Sequence, residues 1–344
     1  MNKRESVVFI LGAGFSRNAG APLIRDFLDH SRQLYEDPTV DLTDFERDQF
    51  QIAFEFKRKM AQAREKIAID LDNIEKLFGL VDISERLHSS PTETRNAIVY
   101  LIARTIYGCV SRNNHTAQIG FQLPLEYDTV QMPDGWRRED RGQRMHLAPI
   151  YDFFAALITG KLDHPDKSKI RKNTVITFNY DLVLDSALRR IGAEPDYGFS
   201  RVSDHSDEDI SIIKLHGSMN WAICPACKTV SILPATSDLA PLQIMSNACR
   251  ECSASTQLLL IPPSWDKSEY RGVLYPVWTR AIEELTSATH ICIIGYSMPE
   301  TDAFFEALLT LGLFDNHQLR SLIVVDISGT IDQKYKVLLE NFFP

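Results

Sequence analysis

The stretch VVFILGAGFSRNAGAP, residues 7–22, decides how the rest of the chain is read. Its first five residues are apolar and do not alternate with polar ones. That is the pattern of a strand buried on both faces of a parallel sheet. The strand reads as 6–11 and stops at Gly12-Ala13-Gly14. A helix is expected to begin near Ser16 and to run beyond Arg25, with Pro22 tolerated only where the first turn is irregular. Small residues at such a strand-to-helix turn let a phosphate approach the backbone, and helix-start amides donate to it. A tight turn with no ligand is the competing reading. The spacing is not the usual G-x-G-x-x-G, so the turn alone leaves both open.

Runs of the same kind recur at NTVITFNY (173–180), SIIKLHG (211–217), TQLLLIPP (256–263), HICIIGYS (290–297) and SLIVVDIS (321–328). A helix is expected over DLVLDSALRRIG, stopped at Gly192, and another after Pro299. Short apolar strands separated by helices give an α/β fold, a parallel sheet covered on both faces. Ligands of such sheets sit at the carboxyl ends of the strands. The polar words GAGFS, TFNYD, LHGS, GYS and VVDIS all fall at those ends. Residues 27 to about 150 differ: apolar positions recur at helical spacing among Glu, Lys, Arg and Gln, which predicts several amphipathic helices. Within them, residues 125–146 read as a polar loop.

The chain has 344 residues and a net charge of −9. The length suggests one large domain with insertions, or two domains. The acidic balance argues against direct nucleic-acid binding, which needs clustered Lys and Arg. No run approaches the ~20 apolar residues of a membrane span. The first apolar run breaks at Gly12, too early for a secretory core. A soluble, cytoplasmic protein without membrane association is therefore expected.

Four of the six cysteines form two pairs, Cys224-x-x-Cys227 and Cys249-x-x-Cys252. Each pair can grip one ion with two sulfurs, and two such knuckles complete a closed tetrahedral zinc site. Four thiolates leave no open position, so the metal would be structural. Cys109 and Cys292 sit in apolar surroundings and read as packing residues. Asn179 and Asp181 follow one strand and His216 ends another. A histidine there can act as a general base, or can simply bond a turn. Its company with Asn179, Asp181 and the glycine turn favours the functional reading. Asp326 can accept from a ribose hydroxyl, or can cap a helix. The other histidines have no such company.

These words, in this order, resemble the sirtuin family, and especially its divergent sirtuin-like branch in bacterial defence proteins. The resemblance covers residues 7–25, 173–190, 211–263 and 290–328. It implies a Rossmann-like fold that binds NAD as a substrate and cleaves its nicotinamide–ribose bond. Gly12, Ala13, Gly14 and Ser16 match the pyrophosphate loop, and Gly20, Pro22 and Arg25 the flexible cofactor loop. Asn179 matches the residue beside the nicotinamide ribose, Asp181 the one that meets the carboxamide, and His216 the catalytic histidine. Gly295 and Ser297 match a second phosphate-contacting turn, and Asp326 falls where the family commonly has an Asn on the adenosine ribose. The four cysteines match the structural zinc module.

The departures point elsewhere. Leu23-Ile24 stands where deacylating sirtuins have Asp-Phe after the proline. Pro262-Pro263-Ser264-Trp265 replaces the FGE word that helps seat the acyl-lysine peptide, and Met298-Pro299-Glu300 replaces V-x-P. The resemblance thus implies an NAD glycohydrolase, a regulated NAD-depleting effector of antiphage defence, with a deacylase or ADP-ribosyltransferase and a non-catalytic NAD or ADP-ribose sensor as alternatives. Control by self-assembly or by an activating partner protein is expected. The expected organisation is a Rossmann-like core (1–26, 150–220 and 256–344), a helical insertion (27–149) and a small zinc-ribbon module (221–255).

Overall fold

A computed structural model describes residues 5–62, 68–87, 92–114, 120–121, 148–162, 172–199, 210–235, 241–245, 247–261, 271–299, 303–327 and 334–336. Its centre is a six-stranded, wholly parallel sheet in the order β11-β10-β1-β4-β6-β5. The strands are β1 (Ser6–Leu11), β4 (Lys172–Thr177), β5 (Pro195–Asp196), β6 (Ile210–Lys214), β10 (His290–Ile294) and β11 (Ser321–Val325). β1 lies inside, with Val7 in register with His290 on one side and Asn173 on the other. Val8, Ile10 and Leu11 are almost wholly buried, as an unalternating apolar strand requires. Helices α6 (Ile150–Ile158) and α7 (Val183–Arg190) pack together, as do α9 (Arg271–Ser287) and α10 (Ala303–Phe314). The loop expected over 125–146 lies outside the described residues, and β2 (Gly120–Phe121) and β3 (Ala148–Pro149) form a minimal antiparallel pair beside it.

Two expectations need correction. The helix from Ser16 past Arg25 does not exist. A single turn, α1 (Ala13–Ser16), passes into a 3-10 turn (Arg17–Ala19) that ends at Gly20 with φ +89°. Left-handed backbone is open to glycine and stops a helix, and Pro22 has no amide with which to resume it. The next helix, α2, begins only at Phe27 and runs to Glu36, after Asp26 Oδ1 accepts from the Leu23 amide at 2.8 Å. Second, the TQLLLIPP strand does not join the parallel sheet. It is β9 (Gln257–Leu260), paired antiparallel with β7 (Gly217–Ile223), which also pairs β8 (Val230–Ile232). The sequence pattern offered no reading of the segment that forms α9, which carries Pro276 in its interior.

The helical stretch is as expected: α2, α3 (Asp44–Ala61), α4 (Ile74–Arg86) and α5 (Thr92–Asn114). α3 begins in a full capping box, with Thr43 and Glu46 exchanging side-chain-to-backbone bonds. These helices share a second hydrophobic core with the antiparallel sheet, where Phe50, Phe78 and Ile98 meet Met219, Leu258 and Leu260. Ile244 of α8 (Pro241–Met245) joins the same core. Insertion and ribbon therefore form one packed unit rather than two separate attachments.

Candidate active site

The glycine turn is held by its neighbour. Gly12 N donates to Ile294 O at 3.0 Å, Gly14 N to Gly295 O at 2.9 Å, and Phe15 N to Gly12 O at 3.0 Å. A Cβ on Gly12 would lie 2.5 Å from Tyr296 Cα, and one on Gly14 would lie 2.8 Å from Gly295 Cα. Gly295 itself sits at φ +60°. The small residues are thus demanded by the contact between two turns, the one after β1 and the one after β10. Three amides of the turn expected to cradle a phosphate are thus engaged inside the protein.

Asn179 extends from the end of β4 into this arrangement. Its side-chain amide donates to Gly12 O at 2.9 Å and to Ser16 Oγ at 3.1 Å. Because Gly12 O can only accept, the NH2 of Asn179 must face it, and the side-chain oxygen faces away. Ser16 is buried and also bonds the Asp181 carboxyl. Asp181 Oδ1 accepts from Val183 N at 3.0 Å. Burial raises the Asp181 pKa above its ordinary value, an effect opposed by the Lys214 charge and by the bonds from Ser16 and Val183. Tyr151 of α6 braces the following loop: its hydroxyl donates to Phe15 O at 2.9 Å and accepts from Ala19 N at 3.0 Å. Burial raises the pKa of that phenol.

His216 is buried at the junction of the two sheets. Its ring lies edge-on to Phe178, with centroids 5.2 Å apart, and Phe178 stacks on Tyr296 at 4.6 Å. Its carbonyl accepts from Ile261 N at 2.9 Å, so the strand bearing β9 fixes the histidine.

These groups border a cavity of about 750 Å³, within the range of small-molecule sites. Asn179, Asp181 and His216 line it, as do Ala13, Gly14 and Arg25. Gly295, Ser297 and Asp326 close another side. Gly12 and Ser16 do not border it; they act from behind, through Asn179 and Asp181. The strand-end reading thus brings Ala13, Gly14, Asn179, Asp181, His216, Gly295, Ser297 and Asp326 onto one cavity, with Gly12 and Ser16 behind it. What it missed is the wall opposite: Ile74, Glu75 and Phe78 of α4, and Ile102 and Ile106 of α5. Their apolar spacing is legible as helix face, but nothing in it marks a ligand cavity.

The four cysteines converge, with all four Sγ atoms within 4.8 Å of one another. The two knuckles repeat one geometry. Lys228 N donates to Cys224 O at 2.9 Å and Ser253 N to Cys249 O at 2.9 Å. Cys224 N donates to Thr229 O at 2.9 Å and Cys249 N to Ala254 O at 2.8 Å. Lys228 and Ser253 both take positive φ, 61° and 62°. Two matched thiol pairs at this separation fit a four-coordinate zinc ion. Cys109 and Cys292 are partly buried, and burial pushes the Cys109 thiol up to about 11.

Among the described residues, no helix is long and apolar enough to cross a membrane. A parallel sheet with a cavity at its carboxyl edge is the arrangement of the doubly wound α/β class of fold, whose ligands sit at that edge. Within that class, residues 173–311 match the family model of the SIR2-like domain. No curated protein matches the chain. Among solved structures, a Sir2 homologue mutant in complex with ADP-ribose is similar at 13% identity and a TM-score of 0.38, covering 98% of this chain and 92% of that one. A Sir2–p53 peptide–NAD+ complex is similar at 12% identity and a TM-score of 0.35, covering 100% and 96%.

Proposed function

We propose that the chain is an NAD glycohydrolase that cleaves NAD to nicotinamide and ADP-ribose. The carrying observation is the convergence of Asn179, Asp181 and His216 on one cavity beside the GAGFS and GYS turns. The match of residues 173–311 to the SIR2-like domain supports NAD as the substrate class. In the reaction the C1′–N1 bond breaks and its electron pair neutralises the pyridinium, so the leaving group needs no acid. A water oxygen bonds C1′, and its proton passes to His216. The Asn179 side-chain oxygen, turned outward by the bond to Gly12, can only accept. It would therefore hold a donor, the ribose hydroxyl or the attacking water. Asp181 would receive the carboxamide. Orientation and a polar wall are what the protein must supply.

Nothing in Leu23-Ile24 or in the 262–265 word supports peptide recognition, the latter lying outside the described residues. The deacylase or ADP-ribosyltransferase alternative draws its support from the ribbon sheet, whose β9 carries the Leu260–Ile261 segment against His216. Incubation of purified protein with NAD, with and without acetylated peptide, followed by chromatography, separates the readings. Free ADP-ribose without peptide is expected. Acetyl-ADP-ribose formed only with peptide would transfer the assignment to deacylation, and tight binding without turnover would transfer it to a sensor.

An unrestrained NADase would exhaust its host, so the reading includes control by self-assembly or a partner protein, within a defence against phage. The α4 and α5 wall supports this, because a shift of the insertion would reshape the cavity directly. Turnover that stays constant per chain from nanomolar to micromolar protein, with no change in mass, would remove self-assembly as the control.

A further inference from the structure

Lys214 is the one charged residue in the apolar run SIIKLHG, and it is 2% exposed. An ammonium so buried needs all three donors satisfied. It meets Asp181 O at 2.6 Å, Ser218 Oγ at 2.8 Å and Asp185 Oδ2 at 3.0 Å. The partners then connect to one another. Ser218 Oγ donates to Asn220 Oδ1 at 2.7 Å, Asn220 Nδ2 to Tyr197 OH at 3.2 Å, and Tyr197 OH to Asp185 Oδ1 at 2.7 Å. The loop closes on Lys214 with every member buried.

The ring joins three parts of the fold. Lys214 comes from β6, Asp185 from α7, and Ser218 and Asn220 from β7 of the ribbon sheet. Asn220 reaches further, donating to Leu233 O at 2.8 Å beyond β8. A buried ion pair is weak evidence for stability, because an apolar replacement of the same shape often serves as well. Its retention directly behind a cavity carboxylate calls for another reason.

We propose that Lys214 is a positioning residue for Asp181: it grips the Asp181 carbonyl, sets its charge behind the neighbouring carboxylate, and ties both to the ribbon sheet through Ser218 and Asn220. This inference rests on the reading of Asp181 as a substrate-facing group. Two charges bear on the Asp181 carboxyl, Lys214 lowering its pKa and Asp185 raising it, with the Lys214 effect the larger. The Tyr151 phenol from α6 also faces it, and His216 lines the same cavity.

The test is a carboxyl-carbon NMR titration of the full-length protein without ligand, with the Asp181 signal assigned by its loss in D181N. In K214M the Asp181 titration should move upward. K214M leaves Asp185 buried without its cation, with only the Tyr197 hydroxyl as donor, and could fail to fold. The double variant K214M/D185N removes both charges and should give a smaller shift in the same direction. S218A removes only one of the three acceptors and should leave the titration near wild type. An Asp181 titration unmoved in folded K214M or K214M/D185N overturns the proposal, whatever the protein does to NAD. If the titration moves as expected but wild type neither binds nor cleaves NAD, the positioning stands and the functional reading fails. With NAD as ligand, K214M/D185N should weaken NAD binding about tenfold while ADP-ribose, which lacks the carboxamide, changes little.

Discussion

Gly12→Ala separates two explanations of the glycine turn. Gly12 has φ −108° and ψ −175°, backbone that alanine adopts without strain. Any effect must therefore come from the new Cβ. It would meet Tyr296 Cα at 2.5 Å, Gly295 O at 2.6 Å and Tyr296 Cβ at 2.7 Å, where ordinary contact begins at 3.4 Å. Two of these are backbone atoms, so the turns must part by 3.4 − 2.5, or 0.9 Å. Overpacking of this kind costs about 1–3 kcal/mol. Parting the turns also weakens Gly12 N to Ile294 O and Gly14 N to Gly295 O, at about 1 kcal/mol each. A loss of roughly 3–5 kcal/mol is expected from these contributions together. Urea unfolding of the ligand-free protein measures it. If the glycine existed only to admit a pyrophosphate, Gly12→Ala would unfold like wild type and lose only nucleotide affinity. That result would refute the packing account. Gly79→Ala in α4 is the control, since nothing lies within 4 Å of its added Cβ, and a gain of up to about 1 kcal/mol is expected there from helix propensity.

Other substitutions test the remaining claims. Asn179→Ala or His216→Ala should lower NAD turnover at least about 100-fold in protein that remains folded, read by release of nicotinamide. Cys224→Ser should abolish bound zinc, measured by elemental analysis, and lower the melting temperature; retention of stoichiometric zinc would contradict the four-cysteine site. Glu46 accepts from the Tyr100 hydroxyl at 2.9 Å and Arg104 Nε at 2.8 Å. Burial raises its pKa, but the bonds from Thr43, Tyr100 and Arg104 outweigh that and hold it below the usual 4.5. A depressed folded pKa gives stability that is present above about pH 4.5 and lost as pH falls through the folded value. Glu46→Gln should flatten that part of the stability–pH curve and cost roughly 3 kcal/mol at pH 7. An unchanged slope would sink this account.

The sheet was legible because its strands are short, apolar and ended by turn residues, a pattern that survives without knowledge of partners. β1, β4, β6, β10 and β11 all fall where those runs fall. The site was legible for the same reason, since strand ends of a parallel sheet share one edge. TQLLLIPP shows the limit. Its run looks like the others, and only the pairing with Gly217–Ile223 makes it antiparallel. GSMNWAI carries polar residues that satisfy the Lys214 ring, so its strand character is masked by chemistry that only three dimensions explain. The cavity wall was hidden differently. Ile74, Phe78, Ile102 and Ile106 read as core, and a side chain facing a cavity has the same composition as one facing another side chain.

The position of β1 has a consequence for synthesis. It is made early, yet it hydrogen-bonds along its length to β10, whose residues follow some 280 positions later, from Val7 with His290 to Leu11 with Ile294. The glycine turn then rests on Gly295 and Tyr296. While a ribosome is still translating the ribbon segment, one flank of β1 is bare and the cavity lacks the turns after β10 and β11. Contacts of such separation close late. Whatever chemistry the cavity hosts can begin only after nearly the whole chain has emerged, so the topology itself keeps unfinished copies inert.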